Sequence, residues 1–515
     1  MDLLIDVNVA LDICAKRQPF YTIARDAIQL CTYQGGTLWL YVGSVQTLEY
    51  NLYYELKRQQ VDVEIPLTIK QLFKLSRDLL KEFSKDKQWL AALAGEGDVF
   101  LASDPEDEQL IRGLDRFPKK SIKLLTRDNL LLETHPDKAI HPLAFIKQSL
   151  QRPDQPKIDF ANLHKQQSII RPELEKNIFK VLHSGQYIMG SEIRRLEEKL
   201  QEFTGAKHAI TCSNGTDALL LAMMAIDIQP GDEIITTPFT FISTAETIAL
   251  MKAKPVFVDI EEDTYNIDAT KIEAAITDKT KAIMPVSLYG QPADMDAIQR
   301  IADKHDLKVI IDGAQSFGAT YKGKTDSNLG DISTTSFFPA KPLGCYGDGG
   351  AVFTNNDEYA EKMRMMRVHG QNKRYHHKYI GMGGRLDTIQ AAILLTKLKH
   401  YKKEIQMRQS VAVAYTKQLS DAVVKPIVKK SRTSVWAQYT VRTQNRDMIQ
   451  QKLKDKGIPT AVHYSIPLHS QECFQYLNYK KGDFPVAEQA SKEVLSIPMS
   501  PFVSLEEIDI ITHYF

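Results

Sequence analysis

Lys341 lies in Ser-Phe-Phe-Pro-Ala-Lys-Pro-Leu-Gly-Cys-Tyr-Gly-Asp-Gly-Gly-Ala (336–351), a stretch broken by prolines and glycines. A lysine amine is ordinarily protonated and inert. Partly desolvated at the mouth of a sheet, it loses its proton more easily and becomes a nucleophile for Schiff-base chemistry. A lone lysine in a glycine-rich turn is more often a surface residue. Three other signals stand near this one in a coherent order, and together they imply a built site. Cys345, four residues on, reads as a small buried thiol and not as a second nucleophile.

The first companion is Thr-Cys-Ser-Asn-Gly-Thr-Asp (211–217), which leads into a helical pattern free of glycine and proline. At such a strand-to-helix junction the unpaired N–H groups hold a phosphate, and the Thr216 hydroxyl adds a donor beside Gly215. An Asn-Gly turn that merely caps a helix is the bland alternative. The second is Lys-Val-Ile-Ile-Asp-Gly-Ala-Gln (308–315), where a buried apolar run ends in Asp312. In open α/β sheets ligands bind at that strand edge. A carboxylate there can cap the next helix. It can also keep a pyridine nitrogen protonated, which is how proteins turn pyridoxal phosphate into an electron sink. The third is Ser336, a further phosphate donor just ahead of Lys341.

These residues need a scaffold of successive strand–helix units. Residues 233–237, 255–259, 282–286 and 309–312 read as buried strands with helices between them. From about Ile393 the chain turns helical and basic, then gives a short strand at 438–442. The Lys-rich helix at 397–408 reads as a solvated face and not as a nucleic-acid site. Before residue 151 lies another alternating region, with strands expected at 3–7, 38–42 and 122–126 and helices around 47–59 and 69–80. The polar, proline-bearing stretch 151–157 separates the two. The fold class is α/β throughout, with domains at 1–150, 157–392 and 393–515.

With these motifs in hand, residues from about 157 onward resemble the DegT/DnrJ/EryC1/StrS family of sugar aminotransferases, a branch of fold-type I pyridoxal phosphate enzymes. The resemblance implies a large, mostly parallel-sheet domain and a small C-terminal α+β subdomain. It makes Lys341 the cofactor-bearing catalytic lysine and Asp312 the partner of the pyridine nitrogen. It assigns Gln315 to the cofactor 3-hydroxyl, and Gly215, Thr216 and Ser336 to the phosphate. Phe241, in Pro-Phe-Thr-Phe (238–241), matches the aromatic that stacks on the ring. Stretches 336–350, 384–392 and 463–469 resemble the branch that aminates C3 of a UDP-linked 2-acetamido-3-keto-hexuronic acid for surface polysaccharide precursors. L-Glutamate is the implied donor, ping-pong kinetics the implied pattern and a homodimer the implied assembly. Related sugar dehydratases replace the lysine with histidine, so Lys341 argues for amino transfer. One departure is Gly383, where the family carries an asparagine that reaches the neighbouring subunit's cofactor phosphate.

In the N-terminal region Asp6, Glu49, Asp107 and Asp128 stand at strand ends or early in helices, with Asp104 competing for the third place. Converged carboxylates repel unless a divalent cation sits among them, and oxygen-only ligation suits Mg²⁺ or Mn²⁺. Metals so held activate water against a phosphodiester. The order of the acids resembles the PIN domain, a family of metal-dependent ribonucleases. An α/β/α fold follows, with RNA as partner and ribonuclease activity as the alternative function. Each acid can equally be a cap or a solvated loop charge, and the domain an interaction module.

Composition narrows the rest. The chain has 515 residues, with 65 Lys and Arg against 64 Asp and Glu. So balanced a charge gives no global field for a polyanion. Five scattered cysteines without a CxxC pair indicate neither a disulfide framework nor a thiolate zinc site. With no basic leader and no long apolar run, a cytoplasmic protein without a membrane partner is expected.

Overall fold

In a computed structural model of the chain, residues 158–515 are described throughout. Of the earlier residues the structure describes 2–6, 9, 23–24, 27, 38–40, 122–127, 132–133, 137, 139–142 and 144. The chain divides into two compact units, Met1–Gln155 and Pro156–Phe515.

In the first unit four parallel strands, β1 (Asp2–Ile5), β2 (Leu38–Leu40), β3 (Ile122–Leu125) and β4 (Ala139–Ile140), lie in the order β2-β1-β3-β4. Three of them fall where apolar runs predict strands. The two-residue β4 is too short to carry a periodic signal. The helices expected at 47–59 and 69–80 lie outside the described residues.

The second unit is built on seven strands: β5 (His208–Cys212), β6 (Glu233–Thr236), β7 (Lys254–Phe257), β8 (Thr280–Ile283), β9 (Lys308–Asp312), then, past a small hairpin of β10 (Thr320–Tyr321) and β11 (Lys324–Thr325), β12 (Ile332–Ser336) and β13 (Gly350–Thr354). Their order is β5-β13-β12-β9-β8-β6-β7. Only β13 runs against the others. Successive residues feed different cores. Ile210, Ile234, Ala282, Ile310 and Val352 join one cluster, while Ala209, Ile235, Ile283, Val309, Ile311 and Ala351 join clusters on the other face. Both faces are therefore covered, which is why these strands read as unbroken apolar runs and not as alternating ones.

Five helices position the site: α1 (Leu163–Ser184), α2 (Ser191–Thr204), α3 (Gly215–Ala225), α4 (Ser243–Leu250) and α5 (Thr388–Gln418). The helix α5 is 31 residues long. The domain seam expected at 392/393 falls inside it. Its first half packs Ala391, Leu394 and Tyr401 against the sheet core, and its second half packs Val411, Ala412 and Tyr415 into the C-terminal core. The solvated face expected at 397–408 needs correction. Lys399, Lys402 and Lys403 are exposed, but Lys397, Glu404 and Arg408 are buried. The C-terminal part also holds the antiparallel pair β16 (Tyr439–Arg442) and β17 (Val494–Ile497), after a hairpin of β14 (Gln371–Lys373) and β15 (His376–His377).

Candidate active site

Three strands of the large sheet end at one edge and each delivers a functional residue there. The strand β5 ends at Cys212, and the chain turns through Ser213 and Asn214 into α3. The Asn214 side chain caps that helix by accepting from the Asp217 N–H at 2.8 Å. Capping from outside leaves the first amides of the helix, including those of Gly215 and Thr216, to face an anion. Glycine is required at 215 because a Cβ there would lie 2.8 Å from the Cβ of Ser336, the last residue of β12. The phosphate turn and the Ser336 strand end therefore touch.

The strand β9 ends at Asp312, which is 5% exposed. Its Oδ2 accepts from the Thr244 hydroxyl at 2.7 Å and its Oδ1 from the Ala314 N–H at 3.2 Å. Burial pushes its carboxyl above the ordinary range, opposed by those bonds and by the charge of Lys341. Lys341 is half-buried on the loop that joins β12 to β13, and its N–H donates to the Phe338 carbonyl at 2.9 Å. Burial pulls its amine below the ordinary lysine range, while Asp312 pulls the other way.

The start of α4 joins these pieces. Ser243 Oγ lies 2.8 Å from the Thr216 hydroxyl, and the next residue, Thr244, holds Asp312. Gln315 is buried, with its Oε1 accepting from the Tyr289 N–H at 2.7 Å and its Nε2 donating to the Tyr464 hydroxyl at 3.1 Å. Phe241 is 55% exposed and so is not core, and its ring centroid lies 6.3 Å from that of Tyr464. Gln315 and Phe241 thus share one tyrosine.

Sequence reasoning singled out neither Thr244, Ser243, Tyr289, Tyr464 nor His463. The His463 imidazole is pulled down to about 4 by burial and then by the Lys341 charge, and Nδ1 lies 2.9 Å from Ser496 Oγ. The imidazole is therefore neutral near pH 7, in a place where the Lys341 charge is felt. Only the stretch 463–469 as a whole signalled this region. Cys345 is buried, and its thiol is pushed up to about 11, as befits a packing residue. Gly383 is exposed, and a Cβ on it would lie 3.2 Å from Cε1 of His369.

The residues present fit pyridoxal phosphate. A helix N-terminus with the Thr216 and Ser336 hydroxyls suits a dianion, and a buried aspartate suits a protonated ring nitrogen. Of the four candidate metal ligands, Glu49, Asp107 and Asp128 lie outside the described residues, as does Asp104. Asp6 is buried, and its Oδ2 accepts from the Thr126 hydroxyl at 2.6 Å. Among the described residues no group of three or more His, Cys, Asp or Glu could hold a metal ion. Nor, among them, is any helix long and apolar enough to cross a membrane.

The model of the DegT/DnrJ/EryC1/StrS aminotransferase family matches residues 168–515. Over 355 residues the chain is 52% identical to the Pseudomonas aeruginosa UDP-2-acetamido-2-deoxy-3-oxo-D-glucuronate aminotransferase, covering 69% of this chain and 98% of that one. A DegT/DnrJ/EryC1/StrS aminotransferase from Brucella abortus superposes with a TM-score of 0.68 at 40% identity, over 69% of this chain and 98% of that one. The Bacillus subtilis NtdA structure, which holds the cofactor PMP, superposes with a TM-score of 0.65 at 29% identity, over 79% and 96%. Fold, site and likenesses together make this chain a pyridoxal phosphate-dependent sugar aminotransferase. It belongs to the DegT/DnrJ/EryC1/StrS aminotransferase family.

Proposed function

We propose that the chain transfers the amino group of L-glutamate to C3 of a UDP-linked 2-acetamido-3-keto-hexuronic acid, in the making of a surface polysaccharide precursor. The observation that carries this reading is the 52% identity along 98% of a relative whose name specifies such a substrate. Bound pyridoxal phosphate supplies the carbonyl that an amine condenses with and the ring that accepts charge. The chain's own residues do the rest. Lys341 Nζ, poised by burial to lose its proton, would take a proton from the donor carbon that bears the amine and return it to the carbon on the other side of that nitrogen, a 1,3-shift. Asp312 keeps a proton on the ring nitrogen, and Thr244 orients the carboxylate. Gly215, Thr216 and Ser336 hold the phosphate, Phe241 covers the ring, and Gln315, steadied by Tyr289 and Tyr464, meets the 3-hydroxyl.

Residues 157–515 form the catalytic part in this reading and residues 1–150 a separate domain. The assembly is a homodimer in the cytoplasm. Apolar side chains exposed beside the site support the dimer. They include Tyr187, Ile188 and Met189, whose segment pairs with Asp387 and Thr388, and Phe338 of the lysine loop.

The test is to incubate the purified chain with L-glutamate and a panel of UDP- and dTDP-linked 3-keto sugars and to follow 2-oxoglutarate. Release is expected with the UDP-linked uronic acid and at least about tenfold less with neutral sugars, the scale on which an unmet charged group is penalised. Faster release with a neutral dTDP-sugar would overturn the substrate assignment.

A further inference from the structure

Lys397 is 2% exposed, on the inward face of α5. Its Nζ donates to the Gly344 carbonyl at 2.7 Å and stands 4.4 Å from the centroid of the Tyr346 ring. Among the described residues no carboxylate comes within ion-pair distance of it. A buried ammonium held by one carbonyl and one ring is a costly arrangement for packing alone, because methionine would fill the same space without desolvating a charge. Both contacts fall on the loop that carries Lys341.

Two turns earlier on the same helix, Gln390 clasps the same loop. Its Oε1 accepts from the Tyr346 N–H at 2.9 Å and its Nε2 donates to the Tyr346 carbonyl at 3.4 Å. The loop is also folded tightly on itself. A Cβ at Gly344 would lie 2.5 Å from the Pro339 carbonyl oxygen, and the Cys345 N–H donates to the Phe337 carbonyl at 2.8 Å. Pinning Gly344 therefore fixes the turn from which Lys341 projects.

We propose that Lys397 is a positioning residue for amino transfer: it straps the lysine loop to α5 through the Gly344 carbonyl and the Tyr346 ring, and so sets where the Lys341 amine stands. Its influence on the reaction passes through Lys341. The inference rests on the reading of Lys341 as the cofactor lysine, and the two can fail separately.

The test uses the full chain and Lys397→Met, which keeps the stem and removes the ammonium. In the cofactor-free protein, the Lys341 and Cys345 amides are expected to exchange with solvent deuterium at least about tenfold faster than in the parent, with β9 and β12 unchanged. In the protein loaded with pyridoxal phosphate, kcat is expected to fall about 10- to 100-fold while KM for L-glutamate stays within about threefold, as misplacement of a reacting group predicts. The pH midpoint of the cofactor's visible absorption is expected to move as well. Parent-like exchange together with parent-like kcat overturns the proposal. So does a fall in kcat with uniform faster exchange across the sheet, which marks a merely structural role. Should Lys397→Met fail to fold, Tyr346→Leu removes the ring and leaves the carbonyl bond. The same directions at smaller size support the strap, and parent-like behaviour overturns it. A loaded parent with no visible band, or one whose band survives Lys341→Ala, overturns the cofactor-lysine reading and this inference with it.

Discussion

Asp6 and Asp312 occupy matching places in two separate units. Each stands at the carboxyl edge of a parallel strand, each is buried, and each accepts from a threonine hydroxyl, Thr126 at 2.6 Å and Thr244 at 2.7 Å. Taken alone, the two look alike. Asp312 has visible company: the lysine on the loop after β12, a glutamine three residues on, and a helix N-terminus bordered by hydroxyls. Around Asp6 the described residues form no cluster of metal-binding groups. The candidate partners of Asp6 lie outside the described residues, so a strand-end carboxylate is read as chemistry here only where independent elements are seen to converge on it, as they do at Asp312.

The comparison breaks most sharply at Asp312 itself. Asp312→Asn is expected to lower kcat about 10²- to 10³-fold, the scale for removing one preorganised electrostatic group. A steady-state assay checks it, and a loss under tenfold would reduce Asp312 to a structural role. The threonines sharpen the contrast. Thr244→Val should cost about tenfold in kcat, since one hydrogen bond to a charged group is worth roughly 1.5–3 kcal/mol and only part of it bears on the reaction. Thr126→Val should leave amino transfer within about twofold while lowering the melting temperature of the first unit. Equal effects of the two on kcat would erase the distinction between the units.

A further effect is expected on stability and not on rate. Asp326 is 1% exposed, bonded to the Ser316 hydroxyl, and pushed up to about 6 by burial, from an ordinary value of 3.8. A raised carboxyl favours the folded state while it is protonated, so this contribution is full below about pH 3.8 and lost as pH rises through 6. Asp326→Asn should therefore gain up to roughly 3 kcal/mol near pH 7.5 and flatten the pH dependence between 4 and 6. Urea titrations at pH 4.5 and 7.5 measure it, and an unchanged slope would refute the shift.

What the sequence made legible follows from locality. Asp312 announces itself because an apolar run stops at a carboxylate, and Gly215 because a helix begins there. Lys341 stands out between prolines and glycines in one short stretch. Thr244 reaches Asp312 across 68 positions, and Tyr464 reaches Gln315 across 149. Resemblance marks their neighbourhoods, at Phe241 and at 463–469, but not these two side chains, because only the folded sheet edge brings them to their partners. Lys397 misleads for another reason. The helix α5 is buried against two cores, so its charges do not sort onto one wet stripe, and a basic composition hides an inward lysine. In the first unit, three of the four acids lie outside the described residues, so only the strand pattern can be compared.

At 1.5 Å per residue, α5 is a rod of roughly 46 Å. One end steadies the loop that bears the nucleophile and the other is sunk in the C-terminal core, where the Arg408 guanidinium grips the Trp436 carbonyl at 3.0 Å. The last hundred residues are for that reason no detachable appendage. Whatever slackens them slackens the spine that aims the amine, and heat should melt residues 156–515 in a single cooperative step.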